Sequence, residues 1–125
     1  MTTGLSFAAW RDGDYVTLAD LLRLLGETIR NYTWKAKIEE VAPHPKAEAF
    51  EAMLRNYALN TAELLAVADW DVQIIDGEVI GYADPEQTAA ITIRAVDSTS
   101  WDILSPDPSI LSTFANAYAD ALPIP

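Results

Sequence analysis

Apolar residues along this chain recur at two periods, three to four in some stretches and two in others, and the switches between them mark helices and strands. Leu18, Leu21, Leu22, Leu25 and Ile29 fall on one helical stripe. Thr17 precedes them with an acid, Asp20, in the position of a reciprocal N-cap, so the spacing predicts a helix over 17–30. Gly26, which costs about 1 kcal/mol relative to Ala inside a helix, is an alternative stop. From Tyr32 to Val41 the period drops to two: Trp34, Ala36 and Ile38 lie on one side, Thr33, Lys35, Lys37 and Glu39 on the other, as in a half-buried strand. Pro43-His44-Pro45 closes it. Helical spacing returns with Ala47, Phe50, Leu54, Tyr57 and Ala58. Asn60 with Glu63 then caps a further short helix carrying Leu64, Leu65, Val67 and Ala68, so helices fill 46–69.

In WDVQIIDGEVIGYA, residues 70–83, Asp76-Gly77 stands between two β-rich runs, and Asp-Gly favours a two-residue type I′ turn. A hairpin closed there pairs Ile75 with Glu78, Ile74 with Val79, Gln73 with Ile80, Val72 with Gly81 and Asp71 with Tyr82. One face then holds Trp70, Val72, Ile74, Val79, Gly81 and Ala83 and is assigned to the core. The other holds Asp71, Gln73, Ile75, Glu78, Ile80 and Tyr82 and is assigned to solvent or a partner. After a turn at Asp84-Pro85-Glu86, alternation resumes over 90–96, with Ile91, Ile93 and Ala95 against Thr92, Arg94 and Val96. Asp97-Ser98-Thr99-Ser100 turns the chain into a last strand in which Trp101 and Ile103 join the core while Asp102 points away with Arg94. Asp107-Pro108 supplies a cap and a first-turn proline for a closing helix bearing Ile110, Leu111, Phe114, Tyr118 and Leu122, ended by Pro123. This order predicts one α+β domain over 1–125. Its antiparallel sheet has four to five strands, meandering in the C-terminal half, and is packed on one face by helices.

Composition fits a globular domain, and charge adds a bias. The chain has 125 residues, 50% of them apolar, enough for one core. Asp and Glu number 19 against 8 Lys and Arg, a net charge of −11. After Arg55 there are eleven acids and a single base, Arg94. Such a field argues against nucleic acid as a partner and speeds encounter with a basic protein surface. No basic segment followed by an apolar core opens the sequence and no apolar run approaches the ~20 residues of a membrane span, so the expected location is cytoplasmic, without membrane association.

Most catalytic devices require residue types that are missing or misplaced. There is no cysteine, and the single histidine, His44, sits between prolines, with no GxSxG elbow elsewhere. Asp12-Gly13-Asp14 and Asp69-Trp70-Asp71 are the nearest carboxylate sites for a hard cation, yet neither matches a calcium-binding loop, and acids in turns more often cap or face solvent. No Gly-rich phosphate loop is present. The expectation is no metal, no cofactor and no catalysis. A small carboxylate-dependent enzyme is the rival that a pair of acids keeps open. Of the tryptophans, Trp34, Trp70 and Trp101 fall on inward strand positions, while Trp10 has no assigned core role.

The run QIIDGEVIGYA, then ITIRAVDSTSWDIL, then DPSIL, over about 70–115, resembles small acidic immunity-type proteins of bacterial toxin–immunity systems. The resemblance implies a non-enzymatic inhibitor that covers a cognate, basic toxin domain. The residues assigned to partner contact are Asp71, Ile75, Glu78, Ile80 and Tyr82, with Asp84, Glu86 and Asp102 around them: carboxylates for steering, apolar groups for anchoring. A dimeric secretion chaperone is a second alternative of the same size and charge.

Overall fold

The computed structural model describes residues 3–56, 58–84 and 88–124. The expected turn at Asp84-Pro85-Glu86, the contact role of Glu86 and the place of Tyr57 on its stripe lie outside these residues. Leu18–Leu25 forms α1, capped reciprocally by Thr17 and Asp20 and ended at Gly26, after which Gly26–Ile29 tightens into a 3₁₀ turn. Its Leu18, Leu21, Leu22 and Leu25 are buried, each contributing about 1.5–3 kcal/mol by leaving water. Helices α2 (Ala47–Asn56) and α3 (Thr61–Ala68) follow, the second with the Asn60–Glu63 box expected of it. Asp107 caps α4 (Pro108–Ala117) with Pro108 in its first turn.

The strands are β1 (Thr3–Ala8), β2 (Trp10–Arg11), β3 (Asp14–Tyr15), β4 (Thr33–Val41), β5 (Leu59–Asn60), β6 (Ile74–Tyr82), β7 (Ile91–Val96), β8 (Ser100–Ser105) and β9 (Leu122–Pro123). Seven form one sheet in the order β5-β4-β6-β7-β8-β1-β9, antiparallel throughout. The class is the expected α+β, but the sheet is larger than four to five strands, because Thr3–Ala8 and the two-residue margins β5 and β9 add to it. β2 and β3 make a separate small hairpin. All four helices pack on the face carrying Trp34, Val79, Ile93, Trp101 and Ile103, and this layer is the core. The buried Trp34 indole donates to Thr61 Oγ1 at 2.9 Å, and that hydroxyl donates in turn to the Ile29 carbonyl, so α3 is keyed to the sheet.

Two expectations are corrected. Asp76-Gly77 is not a turn. It lies inside β6, a nine-residue strand paired with β4 on one side and β7 on the other. Register shifts at Ile38/Glu40 and Glu40/Val41 show an extra residue, Glu39, on β4 and another, Ile75, on β6. These paired bulges change the phase, so Ile74 and Val79 both face the core although they are five residues apart. Gly77 is required by proximity: a Cβ there would lie 2.9 Å from the Lys37 carbonyl oxygen. Leu122 is the second correction. It stands beyond the end of α4, paired with Ser6 in β9, and is 68% exposed.

Candidate functional site

Helices cover one face of the sheet, and the register defines what the other face presents. Its central row reads Lys37, Glu78, Arg94, Asp102 and Ser6 across β4, β6, β7, β8 and β1, an alternation of charge from strand to strand. Arg94 bonds Glu78 through Nε at 3.3 Å and Nη2 at 3.2 Å. The next row reads Lys35, Ile80, Thr92 and Leu104. Tyr82, the last residue of β6, lies under the Lys35 ammonium, 5.8 Å from its ring centre. This face is therefore mixed in charge, with Lys35, Lys37 and Arg94 interleaved among Glu78 and Asp102.

Unmatched acids gather at one end of the sheet. There Glu40 pairs with Asp76, and the Asp76 carboxylate accepts from the Asp97 N–H at 2.8 Å. Ser98 donates its N–H to the Ile75 carbonyl at 3.0 Å. The Ser98 carbonyl accepts from the indole of Trp10 at 2.8 Å, which draws the β2–β3 hairpin, with Asp12 and Asp14, onto the same end. Trp10 is 49% exposed. Asp12, Asp71, Asp97 and Ser98 hold positive φ, and all four belong to this end. Asp tolerates that region better than most residues, yet such clustering marks a strained, over-determined surface.

Beneath the hairpin lies a cleft of about 240 Å³, walled by Tyr15, Phe50, Val72 and Trp101, with Asp71 and Gln73 also lining it. The Tyr15 hydroxyl donates to the Ile74 carbonyl at 3.1 Å, and burial pushes its pKa up to about 12. On the flank, Asp120 accepts from the Ala8 N–H at 2.8 Å and pairs with Arg11, whose guanidinium lies over the Tyr118 ring. The Ala8 N–H first, and Arg11 second, hold the Asp120 carboxyl below the usual carboxylate range.

The structure divides the residues assigned to partner contact. Glu78, Ile80, Tyr82 and Asp102 share the open face. Ile75 is the half-buried bulge residue. Asp71 is not in a strand; it follows α3 in an exposed turn at the acidic end and lines the cleft. Asp84 is exposed just past the end of β6. Of the cation candidates, Asp69 is bound by Arg23 at 2.6 Å, and among the described residues no group of three or more His, Asp or Glu is arranged to hold a metal. His44 accepts the Lys46 N–H through Nδ1 at 2.9 Å. Trp70, expected on a strand, sits in the turn after α3 beneath the Lys46 ammonium.

Sequence reasoning missed Trp10, Tyr15, Asp12 and Asp14 as parts of one surface. Asp12-Gly13 between aromatic residues was the available indication, since both residues have the positive φ of a type I′ turn. No protein family, curated protein or solved structure matches the chain. Among the described residues no helix is long and apolar enough to cross a membrane.

Proposed function

We propose that this chain is a non-enzymatic binding domain for a protein with a positively charged surface, an inhibitor of the immunity type that docks through the acidic end of its sheet. One observation carries the reading: Asp12, Asp14, Glu40, Asp71, Asp76 and Asp97 lie at the end to which the exposed Trp10 is tied, none of them in an ion pair among the described residues, while Glu63 and Asp107 serve as caps and Asp69, Glu78 and Asp120 pair with Arg23, Arg94 and Arg11. Uncompensated carboxylates steer a basic partner, and a central Trp is the residue type that anchors one. The adjoining open face, with Ile80, Tyr82 and Leu104, extends the available area.

The test neutralises the end without disturbing its backbone. Asp12, Asp71 and Asp97 each occupy the left-handed region that Asn also tolerates, so a variant carrying Asp12→Asn, Asp71→Asn and Asp97→Asn should fold as the parent does. Immobilised parent should retain from its own cells a protein with a basic surface, with association that slows steeply as salt rises. The variant should associate at least about tenfold more slowly and show a flatter salt dependence. Equal association rates, or a retained partner without a basic surface, would overturn the reading.

A further inference from the structure

The cleft beneath the Asp12-Gly13 hairpin has properties that docking does not use. Its volume, about 240 Å³, lies between the roughly 150 Å³ of an apolar void that takes benzene and the roughly 300 Å³ at which drug-sized pockets begin. One ring with a short chain suits that space. Tyr15 and Trp101 form tilted walls, centroids 6.2 Å apart at 47°, and Phe50 forms another. The polar atoms of the first two are already engaged, the Tyr15 hydroxyl with the Ile74 carbonyl and the Trp101 indole with the Val16 carbonyl at 2.9 Å. These side chains therefore offer ring faces to an occupant, and no hydrogen to donate.

The charge of the lining is negative, and its strongest free polar atoms accept. Gln73 commits Nε2 to Ser98 Oγ at 3.0 Å, which leaves its Oε1. The Asp71 carboxylate has no hydrogen-bond or ion-pair partner among the described residues, and its backbone is fixed at φ 62°. Aromatic faces attract cations, and so do a carboxylate and an amide oxygen. An anion would meet the Asp71 carboxylate unfavourably, and a neutral molecule would gain the ring faces without the charge pairing.

We propose that the cleft binds a small arylalkylammonium ion, its ring held among Tyr15, Phe50 and Trp101 and its ammonium on Asp71 and Gln73. Asp71 belongs to both surfaces, but the amine is titrated into the chain with no protein docked, so this test is read independently of the docking one.

Phenethylammonium is the probe, with phenylacetate and 2-phenylethanol as isosteric anionic and neutral controls, titrated into the full chain and followed by tryptophan fluorescence and amide chemical shifts. Phenethylammonium should saturate a single site at least about tenfold more tightly than phenylacetate, with shifts centred on Asp71, Gln73 and Ile74. Asp71→Asn should cost about tenfold for the ammonium and leave 2-phenylethanol unchanged. Gln73→Leu supplies an independent check, with a smaller loss for the ammonium alone. Equal affinities for the three probes, the absence of saturation, or shifts confined to Asp12 and Asp97 would overturn the proposal. So would tighter binding of Nα-acetyl-lysine methylamide, which carries an ammonium without a ring.

Discussion

Tyr15 stands where the small hairpin, the cleft and β6 meet, and burial decides its chemistry. Its pKa is raised from 10.0 to about 12 because the phenolate would be desolvated. The sign of the consequence follows: between those values the unfolded chain has released this proton and the folded chain has not, so stability is full below pH 10 and is lost as pH rises toward 12. Tyr15→Phe should lose the bond to Ile74, about 1 kcal/mol at neutral pH. It should also show a shallower alkaline decline, compared by denaturant midpoints at neutral and alkaline pH. Tyr32 and Tyr118 are raised by burial too, so the slope should flatten without vanishing. An identical slope in variant and parent would assign the alkaline loss to those two.

Two Asp-Gly pairs adopt opposite roles, and the difference is made by what lies beside them. At Asp12-Gly13 the flanking strands are two residues each and nothing pairs across the turn position, so local preference wins and the hairpin forms. At Asp76-Gly77 the flanks belong to a strand whose main-chain groups are satisfied on both sides by β4 and β7, and that pairing overrides the turn. Gly13→Ala should therefore cost about 1 kcal/mol, from backbone conformation alone, since no atom approaches its Cβ position. Gly77→Ala should cost more, about 1–3 kcal/mol, because the Lys37 carbonyl must move. Urea unfolding of both variants checks the order, and a smaller loss at Gly77 would show that the bulge yields easily.

The same comparison explains what the sequence could tell. The helix caps at Thr17, Asn60 and Asp107 were legible because capping is local chemistry. Inward positions Trp34, Ile93, Trp101 and Ile103 were legible because alternation records which face is buried. The run Ile74-Ile75-Asp76-Gly77-Glu78-Val79 contains a real break in that alternation, but a turn and a pair of bulges break it alike, and only the partner strand distinguishes them. Hence Glu78, Ile80 and Tyr82 were placed together correctly, whereas Asp71 was carried to the wrong surface. The basic half of the open face, Lys35, Lys37 and Arg94, was visible residue by residue. Its place beside Glu78 and Asp102 depends on strand order, which has no local record.

At the scale of the whole molecule, the one-sided helix layer leaves an open sheet face, and both sheet margins are two-residue strands, β5 beside β4 and β9 beside β1. β9 includes a proline, Pro123, which has no N–H to offer a neighbour. Ile124 donates its N–H to the Gly4 carbonyl at 2.9 Å, fastening this margin down. A variant lacking residues 122–125 should expose the β1 main chain and self-associate as its concentration rises. Light scattering over a range of concentrations measures this, and a variant no larger than the parent at every concentration would show that the β1 border is protected by other means.

The two borders are guarded differently. β9 shields the β1 side, whereas β5 covers only Thr33 and Trp34 of β4. The remaining length of β4 lies against α2 and carries Lys35, Lys37, Glu39 and Glu40, charges that discourage strand addition by a neighbouring molecule. With both borders so guarded, what the sheet presents outward is side chains, on its acidic end and on its broad open face.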